Sequence, residues 1–329
     1  MRVAFMGSDP IALPMLDELL NRKPAGCELD VIFTQPDRRH GRGMHLKANA
    51  IKEWALENGI GVEQPGKCGE AEARLLADRG IDLILVMAYG QILPKCILEC
   101  APAGILNVHA SILPRLRGAS PIHTAVALGL PETGVSLMEI VAKLDAGPVA
   151  GMERIPIGED DTVADVIQAM SNSTVSLVKS GLDRLGKGPL EFFEQDPEQV
   201  TYCRILEKTD RHLDFNESAT VLHNRIRAFQ PWPGTSFPYG DMEIRIHAAR
   251  VDRSSSEGVA PGMIDSGHEG LRIACGDGWI VPLKLQRPGG KPLAVEDFLR
   301  GFPLGHGITL ESRAMRPLEA DRPFPYKRK

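Results

Sequence analysis

Short runs apolar at nearly every position recur through the first part of the chain. They are RVAFMG at the start, LDVIFTQ (29–35), IDLILVMAYG (81–90) and GILNVHA (104–110). A strand with one face in water alternates apolar and polar residues. A run without alternation has to be covered on both faces, which is the habit of parallel sheets flanked by helices. The segments between the runs supply the cover. PIALPMLDELLNR, AIKEWALENG (50–59), EAEARLLADRG (70–80), ASPIHTAVALG (119–129) and TVADVIQAMSNSTVSLVKSGLDRLG carry apolar residues at helical spacing, and Gly59 and Gly80 stand where helices end. Two further strands are expected at TGVSLMEIV (133–141) and GPVAGMERIPI. The expectation is an α/β, Rossmann-like domain over residues 1–188, with a mostly parallel sheet and helices on both faces.

The pattern lapses over 189–206, where Gly, Pro and acids follow one another without period, and a linker is expected there. Beyond it, over 207–329, one helix (SATVLHNRIRAFQPWPG) precedes short strands separated by turn signals. That is the pattern of a small OB-like β-barrel. A chain of 329 residues is long enough for two such domains. The first 200 residues carry a net charge of −8 and the rest +3, so only the second domain leans toward a polyanion. The six cysteines show no CxxC spacing and read as scattered thiols, with no metal expected. No secretory signal opens the chain and no apolar run reaches the length of a membrane span, so the reading is a cytoplasmic protein with no membrane partner.

A strand followed by a Gly turn and a helix invites a dinucleotide reading. Gly7 is followed by Ser8, Asp9 and Pro10 rather than by the remaining glycines of GxGxxG, so a nicotinamide cofactor is excluded and Gly7 reads as a tight turn. Asn107 and His109 are more informative. Residues i and i+2 of a strand share a face, so an amide and an imidazole stand side by side at the C-terminal end of an apolar strand. Open α/β sheets bind their ligands at that end. Asn can donate to an oxyanion and His can move a proton during attack on a carbonyl. On these residues alone, a structural histidine beside a loop-capping amide explains the pair equally well. Asp145, in KLDAGPV, can return a carboxylate toward the same strand ends and orient the ring, although Asp in such a turn is more often only a turn former. The segment TQPDRRHGRGMHLK (34–47) carries Arg38, Arg39, Arg42 and Lys47 against Asp37, and reads either as a mobile basic loop for a phosphate backbone or as a solvated charge run.

The stretch NVHASILPRLRGASPI (107–122) together with LDAGP resembles the folate-dependent formyltransferases. FTQPDRRHGRG, VMAYGQILP, RAFQPWPG and LQRPGGKPL, in the same order along nearly the whole chain, are similar to the branch of that family that acts on initiator methionyl-tRNA. The resemblance implies transfer of a formyl group from 10-formyltetrahydrofolate, a co-substrate rather than a resident cofactor, to the α-amino group of methionine on initiator tRNA. It implies Asn107, His109 and Asp145 as the catalytic set, with protonated His109 joining Asn107 at the oxyanion. It assigns Ser111, Ile112, Leu113 and Pro114, with Met87, Tyr89, Gly90 and Ile92, to the folate pocket. Arg38, Arg39, Arg42 and Lys47 fall in the segment that meets the tRNA acceptor stem. After GRG, relatives commonly carry Lys or Arg, whereas this chain has Met44 and His45. In the second domain Arg225, Arg227, Arg245, Arg250 and Lys284 are candidate backbone contacts, and Trp232 is expected to pack at the domain junction rather than to stack on a base. A monomer is expected. The competing readings are an amino-sugar formyltransferase, which needs no basic loop, and an RNA-binding module, which needs no catalytic set.

Overall fold

A computed structural model describes residues 1–40, 45–267 and 270–325. The chain packs into two compact units. The first comprises Met1–Arg117, Thr133–Pro156 and Ile167–Val200, the second Gly118–Glu132, Ile157–Val166 and Thr201–Lys329. In chain order the strands up to residue 156 are β1 (Arg2–Gly7), β2 (Glu28–Phe33), β3 (Arg38–His40), β4 (His45–Lys47), β5 (Gly61–Glu63), β6 (Leu83–Met87), β7 (Ile105–His109), β8 (Arg117–Gly118), β9 (Glu132–Glu139) and β10 (Val149–Pro156). Among them lie the helices α1 (Leu13–Arg22), α2 (Ala50–Glu57), α3 (Glu70–Asp78), α4 (Lys95–Leu98) and α5 (Pro121–Ala127), with α6 (Val163–Leu185) beyond.

Seven strands form one sheet in the order β10-β9-β7-β6-β1-β2-β5. The run β7-β6-β1-β2-β5 is parallel, and β9 joins β7 antiparallel. The mostly parallel, Rossmann-like sheet expected from the unalternating runs is therefore present. The reason is visible at β1, where Val3, Ala4, Phe5 and Met6 are all fully buried. Gly7 closes that strand. A Cβ there would lie 2.5 Å from the Met87 carbonyl oxygen, so the ends of β1 and β6 approach each other only because residue 7 has no side chain. The loops beyond are tied together by hydrogen bonds. Ser8 Oγ accepts from Thr34 Oγ1 (3.2 Å) and from the Gln35 N–H (3.0 Å), and Asn49 Nδ2 donates to Thr34 Oγ1 (2.9 Å).

The stretch expected to be a linker is held by the first unit as far as Val200. Phe193 exchanges two backbone hydrogen bonds with Val149 (2.9 and 3.0 Å), and residues up to Val200 belong to the first unit. A single backbone pairing leaves no periodic trace in sequence, so the lack of pattern there resembled a linker.

The second unit continues with β11 (Tyr202–Cys203), α7 (Ala219–Ala228), β12 (Thr235–Tyr239), β13 (Met242–Asp252), β14 (Ile264–Asp265), β15 (Arg272–Ala274), β16 (Trp279–Gln286), β17 (Leu293–Ala294), α8 (Val295–Gly301) and β18 (Glu319–Ala320). Strands β12-β13-β16-β15-β14 form an antiparallel sheet, with β17 paired to β16. Phe215, Leu222 and Ile226 pack with Phe237, Ile246, Ile280 and Phe298 in one core. Three residues, Arg225, Arg227 and Trp232, depart from expectation. Arg225 and Arg227 are buried: Arg225 donates to the Arg316 carbonyl (2.9 Å), and Arg227 to Asn224 Oδ1 (3.0 Å) and the Gly158 carbonyl (3.1 Å). They face the interior because α7 packs inward, and they are not free for a phosphate. Arg245, Arg250 and Lys284 are exposed. Trp232 is 52 % exposed, too open for a packing residue.

Arg204 and Asp210 form a buried ion pair in this unit. Two guanidinium nitrogens reach the carboxylate at 2.8 and 2.5 Å, and the Glu207 N–H adds a third bond at 2.6 Å. Burial alone would push the Asp210 carboxyl up, but the Arg204 and Glu207 hydrogen bonds outweigh it and hold the group below the usual carboxylate range. Its stabilising contribution is therefore present above about pH 4 and lost as pH falls through the lower folded value. Arg204→Ala strands a buried carboxylate. It is expected to lower the unfolding free energy by about 3–5 kcal/mol at pH 7, with the deficit shrinking at acid pH as Asp210 protonates. Denaturant titration at several pH values checks this, and a deficit independent of pH would contradict it.

Candidate active site

Asn107 and His109 leave β7 on one face, as period two requires, at the end where β6 and β7 run parallel with Val86 beside Asn107. On the other side β9 places Met138 beside Asn107 and Ser136 beside His109. The His109 ring is buried. Its Nε2 lies 3.0 Å from the Leu116 carbonyl oxygen and its Nδ1 3.8 Å from Asp145 Oδ2. A carbonyl oxygen can only accept, so Nε2 carries the proton in that bond. Nδ1 is then the nitrogen available for proton transfer, and it faces a carboxylate.

Both groups facing the ring come from unusual backbone. Leu116 has φ 55° and Asp145 φ 45°, the left-handed region that non-glycine residues seldom occupy. The loop between His109 and Leu116 is pinned to β9 by Ser136. Its Oγ donates to the Ser111 carbonyl (2.7 Å) and accepts from the Leu113 N–H (3.2 Å). Ser111 Oγ in turn donates to the Arg115 carbonyl (2.6 Å), and Leu113 packs against Met138 and Val149.

The structure thus brings Asn107, His109 and Asp145 together at one end of the sheet. As the ring stands, Nε2–H is taken by Leu116. A direct oxyanion bond from His109 requires the ring to leave that carbonyl, whereas the Asn107 side chain is half-buried beside it.

The residues expected around folate divide in two. Met87, Tyr89, Ser111 and Leu113 have buried side chains and shape the loops from within. Gly90 and Ile92 are exposed, and Ile112 and Pro114 half-buried. The Tyr89 hydroxyl lies 3.2 Å from Cys68 Sγ, and its carbonyl accepts from Gln35 Nε2 at 3.0 Å. Burial pushes the Tyr89 phenol and the Cys68 thiol up, which favours the neutral form of both. The basic segment is a short hairpin, in which Arg38 pairs with Lys47 and Arg39 with Leu46, all four exposed. Opposite residues share a face, so Arg38 and Lys47 present their charges together. Arg42 lies outside the described residues. Among the described residues, no cluster of three His, Cys, Asp or Glu side chains could hold a metal ion.

Sequence reasoning missed Leu116, whose contribution is a backbone carbonyl and leaves no residue-type signal. It also missed Ser136, the one hydroxyl inside the buried run GVSLM, which was a usable signal.

The formyl transferase family model matches residues 1–180, and the model of the formyl transferase C-terminal domain matches residues 205–303. The chain belongs to the formyl transferase family. Relatives along nearly its whole length are methionyl-tRNA formyltransferases. That of Delftia acidovorans is 42% identical over 325 residues, covering 95% of this chain and 98% of the relative. That of a Janthinobacterium species is 39% identical over 315 residues, covering 92% and 98%. A solved N-formyltransferase from Helicobacter canadensis, in complex with folinic acid and dTDP-3-aminofucose, shares the fold at TM-score 0.64 and 21% identity, covering 87% of this chain and 98% of its own. No helix among the described residues is long and apolar enough to cross a membrane.

Proposed function

We propose that the chain formylates the α-amino group of initiator methionyl-tRNA, with 10-formyltetrahydrofolate as donor and no permanently bound cofactor. The observation that carries the chemistry is His109 held between the Leu116 carbonyl and the Asp145 carboxylate, beside Asn107. The relation to methionyl-tRNA formyltransferases over both units supports the acceptor. The neutral amine attacks the formyl carbon, forming a new C–N bond and placing negative charge on the formyl oxygen. Asn107 donates to that oxygen. His109 Nδ1 takes the proton lost by the amine, and Asp145 stabilises the imidazolium. The intermediate then collapses. The bond from the formyl carbon to folate nitrogen breaks, and His109 returns the proton to that nitrogen. The SILP loop, Gly90 and Ile92 form the folate shelf, with apolar faces for the pterin and backbone groups for its edge. Six free thiols suit a reducing cytoplasm.

The test offers purified protein 10-formyltetrahydrofolate with charged initiator tRNA and, separately, with nucleotide amino sugars. Formylated methionyl-tRNA is expected. Formylation of the sugars alone would transfer the assignment to that class. Asn107→Ala is expected to lower kcat by about 10²–10³-fold, and a rate near wild type would remove the amide from the mechanism.

The exposed Arg38–Lys47 pair is our candidate contact for the tRNA backbone, with Arg39 and Arg42 of the same segment. Replacing both Arg38 and Lys47 with Ala is expected to raise KM for tRNA and flatten its dependence on salt, because released counterions follow neutralised phosphates. An unchanged KM would make the hairpin an ordinary solvated surface.

A further inference from the structure

The amide of Gln195 lies in the segment whose sequence reads as a linker. Its Oε1 accepts from Arg117 Nε (3.1 Å) and Nη2 (2.7 Å), and its Nε2 donates to the carbonyls of Asp145 (2.9 Å) and Gly147 (2.7 Å). Two acceptances and two donations use the whole capacity of a side-chain amide. They also fix its orientation, since a flipped amide would set donor against donor and acceptor against acceptor. Arg117 is buried and directly follows Leu116, whose carbonyl holds His109 Nε2. Asp145 supplies the carboxylate on the other side of the ring. One amide thus ties the chain next to both groups that face His109.

Both groups need such a tie. Leu116 and Asp145 sit in the left-handed region, at a cost of about 1–2 kcal/mol each. The Asp145 turn also lies close against β9, because a Cβ on Gly147 would stand 1.9 Å from the Glu139 carbonyl oxygen. The segment bearing Gln195 is itself anchored by the Phe193–Val149 backbone pair.

We propose that Gln195 is a positioning residue for formyl transfer, setting the distance between His109 and Asp145 through the backbone on both sides of the ring. The proposal rests on the functional reading above. Gln195→Met removes all four hydrogen bonds at similar length. Gln195→Glu keeps the acceptors toward Arg117 but turns oxygen toward two carbonyls. In either variant the Asp145 turn loses its tether and the carboxylate moves off Nδ1.

The test measures kcat, KM for folate and for tRNA, and melting temperature of both variants, in the wild-type and the Asp145→Asn backgrounds. The expected result is a fall in kcat of about 10–100-fold with KM near wild type. In Asp145→Asn no further fall is expected, since Gln195 acts through Asp145. An equal fall in both backgrounds, or a lowered melting temperature with kcat unchanged, would overturn the proposal and leave Gln195 a structural staple. A second readout needs no acceptor. The His109 Nδ1 nitrogen resonance in Gln195→Met is expected to move toward its position in Asp145→Asn, and an unmoved resonance overturns the proposal. A wild-type enzyme inactive on methionyl-tRNA would sink the acceptor assignment alone, while the resonance still decides the role of Gln195.

Discussion

An imidazole serves as a proton carrier only if its ring is held, because free rotation would spread the reactive nitrogen over many directions. Here the hold is one hydrogen bond, from His109 Nε2 to the Leu116 carbonyl at 3.0 Å. It fixes which nitrogen is protonated and which faces Asp145. Much of the surrounding structure maintains it. The Ser111–Pro114 loop is pinned to β9 by Ser136, so that the chain returns at Leu116 with its carbonyl aimed at the ring. Leu116 adopts a left-handed conformation to do so. Local strain at such a site is sustained by the packing around it.

The parallel sheet supplies the rest. Strands β1, β6 and β7 are buried apolar rods whose C-terminal ends finish together, and their loops can converge there. The close approach of β1 and β6 at Gly7 and the hydrogen-bonded ends of β1 and β2 make that edge a firm platform. The second unit contributes none of these groups. Its interior is built on an antiparallel sheet and a buried ion pair, and of the cations expected to meet a phosphate backbone Arg245, Arg250 and Lys284 are exposed while the arginines of α7 are not.

The sheet was legible because burial on both faces writes itself as unbroken apolar runs. Asn107 and His109 were legible because period two and their place at a strand end are local properties. Asp145 carries no such local signal, since an Asp in a Gly-containing turn is common. What the sequence hid acts through the backbone or at long range. Leu116 contributes a carbonyl, and Gln195 makes contacts with residues 117, 145 and 147 that no periodicity records. Arg225 and Arg227 misled for the opposite reason. Charge suggests a surface, yet a guanidinium with carbonyls to satisfy it can be buried.

The Leu116 carbonyl fixes the His109 tautomer and leaves Nδ1 for proton transfer. The most direct measurement is a nitrogen NMR spectrum of the protein with labelled histidine, the His109 signals assigned by their loss in His109→Asn. The neutral ring is expected to carry its proton on Nε2, with Nδ1 showing the resonance of an unprotonated nitrogen. A neutral ring protonated on Nδ1 would contradict it.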